Sequence, residues 1–197
     1  MTLRPANPQG KGQTPVIGAW QSAQPQVTMR KTPQHMVQQY YVSLLVLSAH
    51  FRFKPVKGNT YWLYLNNERW HLSLIAPTEN PRLGHCLGRC ELLNDMTWSL
   101  DIQPDALATP ALKGALQRFH TDFFDWLDQD QAFEEQLPVY AEQLPFYARL
   151  AAAGLSKSVI LSSNVKHLKS GSRQWLAMLP QTPLLSVDSD SFTPFGD

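Results

Sequence analysis

The chain has 197 residues, of which 43% are hydrophobic, 11% aromatic and 17% charged, and its formal net charge is +1. This length supports one domain with a full core; no apolar run approaches the roughly 18 residues a membrane helix needs, and two cysteines are too few for a disulfide scaffold. Residues 1–30 contain no apolar h-region, so no secretory signal is expected and the cytosol is the expected compartment.

The near-neutral total hides three blocks. Before Glu68 stand seven basic residues (Arg4, Lys11, Arg30, Lys31, Arg52, Lys54 and Lys57) and no acid. Residues 68–154 hold thirteen acids against six bases, and residues 155–180 hold four bases and no acid. Such blocks are a footprint for an anionic partner, with Arg30, Lys31, Lys54 and Lys57 as candidate anion contacts, or for a fold in which the basic arm lies on acidic residues 122–142 of the same chain. The intramolecular clamp is the expectation; an external polyanion such as RNA is the alternative.

Residues 1–31 read as an extended arm anchored by Val16, Ile17 and Trp20. Gly10-Lys11-Gly12-Gln13-Thr14 lacks the first glycine of a phosphate-binding loop and follows no strand, so that motif is rejected. At Thr32-Pro33 a helix begins: threonine supplies a capping oxygen, and proline lacks only an N–H that would be orphaned there. Met36, Val37, Tyr40, Tyr41, Leu44 and Leu45 recur at helical spacing, while Val42 and Val46 lie off that stripe, which predicts burial on more than one side and an end near His50.

Residues 54–101 carry two hairpin patterns. In the first, Tyr61-Trp62-Leu63-Tyr64-Leu65 and Arg69-Trp70-His71-Leu72-Ser73-Leu74-Ile75 flank an even-length loop around Asn66-Asn67. Tyr61, Leu63 and Leu65 then share the core face with Trp70, Leu72 and Leu74, leaving Trp62, Tyr64, Arg69 and His71 on the other. That second face mixes aromatic bodies with polar tips, as surfaces that meet a partner do, or packs beneath another part of the same chain. In the second hairpin, Gly84, Cys86, Gly88, Cys90 and Leu92 alternate on one face, with Leu87, Arg89 and Glu91 on the other. Burying Trp98, Leu100 and Ile102 beside Leu92, Cys90 and Gly88 requires an odd loop with a bulge near Asn94-Asp95-Met96, and the glycines would admit a close helix.

Beyond Pro104 the chain turns helical. Thr109-Pro110 repeats the cap signal, and Leu112, Ala115, Leu116, Phe119, Phe123, Trp126 and Leu127 follow at helical spacing. A short tandem repeat, Glu135-Gln136-Leu137-Pro138 and Glu142-Gln143-Leu144-Pro145, predicts a turn-like first copy and a helix start at the second, with Gly154 as the stop. A further helix is expected over residues 157–168, a turn at 174–179 and a frayed tail from Pro180.

The search for chemistry excludes more than it finds. On a strand, Cys86 and Cys90 lie about 13 Å apart, too far for one zinc or a disulfide, and His85 points away, so no metal is assigned. Cys86 or Cys90 with His71 is an unspecific candidate for a nucleophilic pair, without the helix N-terminus that would activate a thiol. Asp128-Gln129-Asp130 lacks the glycine and terminal glutamate of a calcium loop. Lys166, Lys169, Arg173 and Trp175 make a small basic-aromatic patch without a nucleic-acid-binding signature.

Lys57-Gly58-Asn59-Thr60-Tyr61-Trp62-Leu63-Tyr64, Ser73-Leu74-Ile75-Ala76-Pro77-Thr78-Glu79, Leu87-Gly88 and Asp95-Met96-Thr97-Trp98 together resemble domain-of-unknown-function family 2452. The resemblance covers about a third of the chain, residues 35–102, and departs at Asn80-Pro81, where the family shows Trp-Gly. It implies no catalytic residues. The expectation is therefore an α+β fold: a basic arm (1–31), a four-stranded antiparallel meander packed with an N-terminal helix (32–103), a C-terminal helical region on the same core (104–179) and a tail (180–197). The expected function is non-catalytic binding or adaptor work, another protein meeting the Trp62/Tyr64/Arg69/His71 face without a cofactor. An enzyme with a Cys/His site and an RNA- or ribosome-associated factor using the arm are the alternatives.

Overall fold

Thr32 opens the first long helix as its sequence requires, its side-chain oxygen accepting a hydrogen bond from the His35 amide at 3.3 Å. In the computed structural model, which describes residues 15–26, 29–129, 131–138 and 143–163, this helix is the second of four. The helices are α1 (Pro15–Ser22), α2 (Pro33–Leu47), α3 (Pro110–Leu127) and α4 (Phe146–Ser162). Residues 1–14 of the arm, the basic-aromatic patch at 166–175, the turn at 174–179 and the tail from Pro180 lie outside the described residues. Met36, Val37, Tyr40, Tyr41 and Leu45 of α2 are buried, and so is Val46 off that stripe, because α2 is packed between β4 and α4.

The strands are β1 (Thr60–Asn66), β2 (Arg69–Ser73), β3 (His85–Leu92) and β4 (Trp98–Ile102), all antiparallel to their neighbours. The mixed α+β class with a four-stranded antiparallel sheet is as expected, but the order is β2-β1-β3-β4 rather than that of a meander. β2 ends beside Trp62 while β3 begins beside Leu65, so residues 74–84 must run back along the sheet instead of turning tightly. Pro77 and Pro81 in that segment suit an irregular crossover rather than a hairpin turn.

The first hairpin closes through Asn67 (φ 47°) and Glu68 (φ 61°), a two-residue loop with both central residues in the left-handed region. Its register pairs Leu63 with Leu72 and Leu65 with Trp70, which sets the expected core face; only Leu74 departs, 58% exposed beyond the end of β2. In the second hairpin Leu92 faces Trp98, Cys90 faces Leu100 and Gly88 faces Ile102, as an odd loop demands. Met96 takes the left-handed position (φ 69°), its amide bonding the Leu93 carbonyl at 3.0 Å, and its side chain is buried.

One face assignment is corrected. Gly88 lies opposite Leu63 while Cys86 lies opposite Tyr64, so β3 carries an extra residue at this point. The bulge breaks the alternation: Leu87 joins Gly88 and Cys90 on the core side, with no exposed surface, and Cys86 moves to the outer face.

α3 begins at Pro110 after Thr109, although the Thr109 side chain makes no capping hydrogen bond. Tyr41 of α2 packs edge-on against Phe119 and Phe123 of α3, with ring centroids 5.2 and 5.0 Å apart. The first tandem copy forms a short 3-10 turn (Phe133–Gln136) and the second leads into α4, as its prolines predict. Gly154 is not a stop, because α4 continues to Ser162 and absorbs the start of the helix expected at 157–168. A Cβ there would stand 2.4 Å from the Ala23 carbonyl oxygen and 2.7 Å from Met96 Cε. The glycine therefore lets α4 approach the N-terminal segment closely.

That segment is helical rather than extended over Pro15–Ser22, and its inward residues are Ala19 and Ala23, one helical turn apart and small enough for this approach. Val16, Ile17 and Trp20, the expected anchors, are 58%, 48% and 51% exposed.

Candidate functional site

The register sets Trp62, Tyr64, Arg69 and His71 on one side of the first hairpin, as expected, but the four do not line one space. Tyr64 is buried, and its hydroxyl donates to the Ile75 carbonyl of the crossover at 2.8 Å. Burial, then the neighbouring Cys86 and Glu79, push its pKa up to about 12. Trp62 is half-buried opposite Arg89. Arg69 and His71, which belong to the outer strand β2, instead reach a cleft along the sheet edge.

That edge is closed by one residue of the segment after α2. The His50 amide donates to the Trp70 carbonyl at 2.8 Å and its carbonyl accepts the Leu72 amide at 3.2 Å, a parallel bridge that sets His50 beside His71. Their ring centroids are 6.0 Å apart. Burial, the His50 ring and the Arg69 guanidinium all lower the His71 pKa and favour its neutral form.

The cleft encloses a volume of about 760 Å³ and draws Arg52 from the segment after α2, Glu68 and Arg69 from the hairpin, and Arg118 and Asp122 from α3. Ala115, Arg118, Phe119 and Asp122 line its α3 wall at a helical period of three and four residues. Among the described residues Arg52, Arg69 and Arg118 make no ion pair. Three guanidinium groups and two imidazoles therefore surround a space that holds two carboxylates.

An apolar groove of about 340 Å³ adjoins the cleft between α2 and α3. Leu47, Ser48, Phe119, Asp122 and Leu144 line both, so the two spaces adjoin across a shared wall. Tyr40, Phe123 and Trp126 supply aromatic walls farther in. The Tyr40 hydroxyl is buried without a hydrogen-bond partner among the described residues.

The cysteine hypotheses can be judged on the same geometry. Cys86, Tyr64 and His71 stand in one row across β3, β1 and β2, so Tyr64 separates thiol from imidazole by two strand spacings, about 10 Å. Burial pushes the Cys86 thiol up to about 11 and raises that of Cys90 as well. Both thiols should react with a disulfide reagent at least about tenfold more slowly in the native protein than in denaturant at neutral pH. Faster reaction of either in the native state would revive the nucleophile. Among the described residues, no cluster of three His, Cys, Asp or Glu side chains suits a metal ion, and no helix is long and apolar enough to cross a membrane.

Two of the candidate anion contacts are engaged within the chain. The Lys31 ammonium bonds Asp95 Oδ2 at 2.5 Å and also Gln39 Oε1, and Lys57 donates to the Gln24 carbonyl at 2.7 Å. Lys57 is lowered by burial and raised again by Asp95. Arg30 and Lys54 are exposed. The described part of the arm is thus tied to Asp95 in the loop between β3 and β4, rather than to any described residue of 122–142.

No family model matches the chain, and no curated protein or solved structure is detectably similar to it.

Proposed function

We propose that the protein is a non-catalytic binding protein whose partner presents an anionic group to the cleft formed by His50, Arg52, Arg69, His71 and Arg118. The observation that carries this reading is the convergence of three arginines, unpaired among the described residues, on one concave space. Guanidinium groups suit carboxylate and phosphate because their planar forks donate two parallel hydrogen bonds. The reading keeps Arg69 and His71 of the sheet face expected from sequence and moves the site to the edge, where α3 supplies the opposite wall. The separation of Cys86 from His71 removes support from the enzyme alternative, and the engagement of Lys31 and Lys57 does the same for an arm-bound RNA. Family resemblance adds no mechanism, so the proposal rests on geometry.

Pyrophosphate is a suitable probe. It should raise the unfolding temperature of the full chain above that in sodium chloride of equal ionic strength, because a ligand that binds only the folded state stabilises it by mass action. The Arg69→Gln/Arg118→Gln double variant, altered at two exposed positions, should unfold normally in chloride and lose the pyrophosphate effect. No effect in the parent protein, or an equal effect in the variant, would end the proposal.

A further inference from the structure

We infer that the ligand is an amphiphilic anion, its carboxylate or phosphate head held at the arginine-lined cleft and its acyl or aromatic body lying in the groove between α2 and α3. This rests on the binding reading above and specifies the chemistry of the partner. The adjacency of the two spaces is the first support: an anion seated near Arg118 has Phe119 and Leu144 beside it, and these residues are also walls of the groove. A small hydrophilic anion would leave that apolar surface wet, whereas an attached hydrocarbon removes it from water at about 25 cal/mol per Å².

The polarity of the walls gives the ligand a direction. Three guanidinium groups (Arg52, Arg69 and Arg118), His50 and His71 belong to the cleft and not to the groove, against the single carboxylate of Glu68, while Tyr40, Phe123 and Trp126 belong to the groove alone. Asp122 stands where the two meet, and its carboxylate repels an anionic head placed there, which favours the arginine end for the charge. The volumes of about 760 and 340 Å³ fall in the range of roughly 300–1,000 Å³ usual for small-molecule sites.

Calorimetric titration of the full chain with octanoate, octyl phosphate, octanol and acetate tests the inference. Octanoate or octyl phosphate should bind at least about tenfold more tightly than octanol, because a charge-assisted hydrogen bond contributes at least that factor. The same ligand should exceed acetate by a similar factor; which of the two heads binds better distinguishes a carboxylate from a phosphate ligand. In Arg69→Gln/Arg118→Gln the advantage over octanol should disappear. Leu44→Gln, at a groove residue that does not line the cleft, should weaken the octyl anions and leave the pyrophosphate response intact.

If octanol matches the octyl anions, or if acetate matches octanoate, the inference is overturned. Should pyrophosphate stabilise the protein while the octyl anions gain nothing over acetate, only the amphiphile falls and the anion-binding reading stands. Absence of both effects ends both. Binding of the octyl anions that survives unchanged in the double arginine variant also overturns the inference, since it then reflects apolar adsorption alone.

Discussion

Replacing Gly88 by alanine is expected to destabilise the protein by about 3 kcal/mol, although glycine within a strand ordinarily weakens it. A Cβ at this position would lie 2.1 Å from the Asp101 carbonyl oxygen and 2.9 Å from both the Asp101 carbonyl carbon and Ile102 Cα. All three atoms are backbone, so no side chain can swing aside and β4 itself must move. Its displacement would be felt at both ends of the strand. The Trp98 amide donates at 2.9 Å to the Oγ of Ser43, a fully buried hydroxyl on α2, and the Gln103 amide donates to the Leu87 carbonyl at 3.0 Å. Urea unfolding should show a lower midpoint with little change in slope, since the folded state loses contacts and the unfolded state gains none. An alanine variant as stable as the parent would mean that the close approach of β3 and β4 at the bulge is not maintained.

The same bulge explains how far the sequence can be read. Period-two alternation gave the faces of the first hairpin, because a two-residue loop preserves parity, and it gave the odd loop of the second, because Trp98, Leu100 and Ile102 had to meet Leu92 and Cys90. It misplaced Cys86 and Leu87, since a single extra residue in β3 reverses parity on one side and leaves no mark in composition. Strand order was likewise hidden. Two consecutive hairpins fit either a meander or the observed order equally well, and the choice depends on long-range pairing of β1 with β3. Gly154 illustrates the ambiguity of glycine: helix ends and close helix contacts both select it, and only the positions of Ala23 and Met96 decide.

The cleft was legible in part. Arg69 and His71 were singled out by strand alternation, but His50 reaches the site through a lone parallel bridge and Arg118 through the docking of α3, neither of which is a local property. One signal was present and unused. Ala115, Arg118, Phe119 and Asp122 form a helical stripe of mixed chemistry beside the apolar one, an unusual choice for a face directed wholly at solvent.

Asp95→Asn is expected to destabilise the protein by roughly 2–3 kcal/mol at neutral pH, an effect set by the loss of one half-enclosed charge and its partners. Asp95 Oδ1 accepts the Thr97 amide at 3.0 Å and the Thr97 hydroxyl at 2.6 Å, while Oδ2 receives the Lys31 ammonium; both charged side chains are only 14% exposed. Lys31 also bonds Gln39 of α2, and its amide donates to the Ser162 carbonyl at the end of α4, so this one lysine ties the N-terminal segment to two helices and a hairpin loop. Burial alone would raise the Asp95 pKa, but the bonds from Lys31 and Thr97 outweigh it and hold the carboxyl below its usual range. A folded-state pKa below the unfolded one means that the stabilisation is complete above the unfolded value of about 3.9 and is lost as pH falls through the folded value. The difference in unfolding free energy between the parent and Asp95→Asn should therefore stay level from pH 7 to about 5 and shrink below about 4. Lys31→Met completes a double-mutant cycle, in which a coupling of about 1–2 kcal/mol isolates the ion pair from the Thr97 bonds. A vanishing coupling, or a variant deficit that grows as the solution is acidified, would show that the N-terminal segment is held by the packing of Ala19 and Ala23 against α4 and not by this charge.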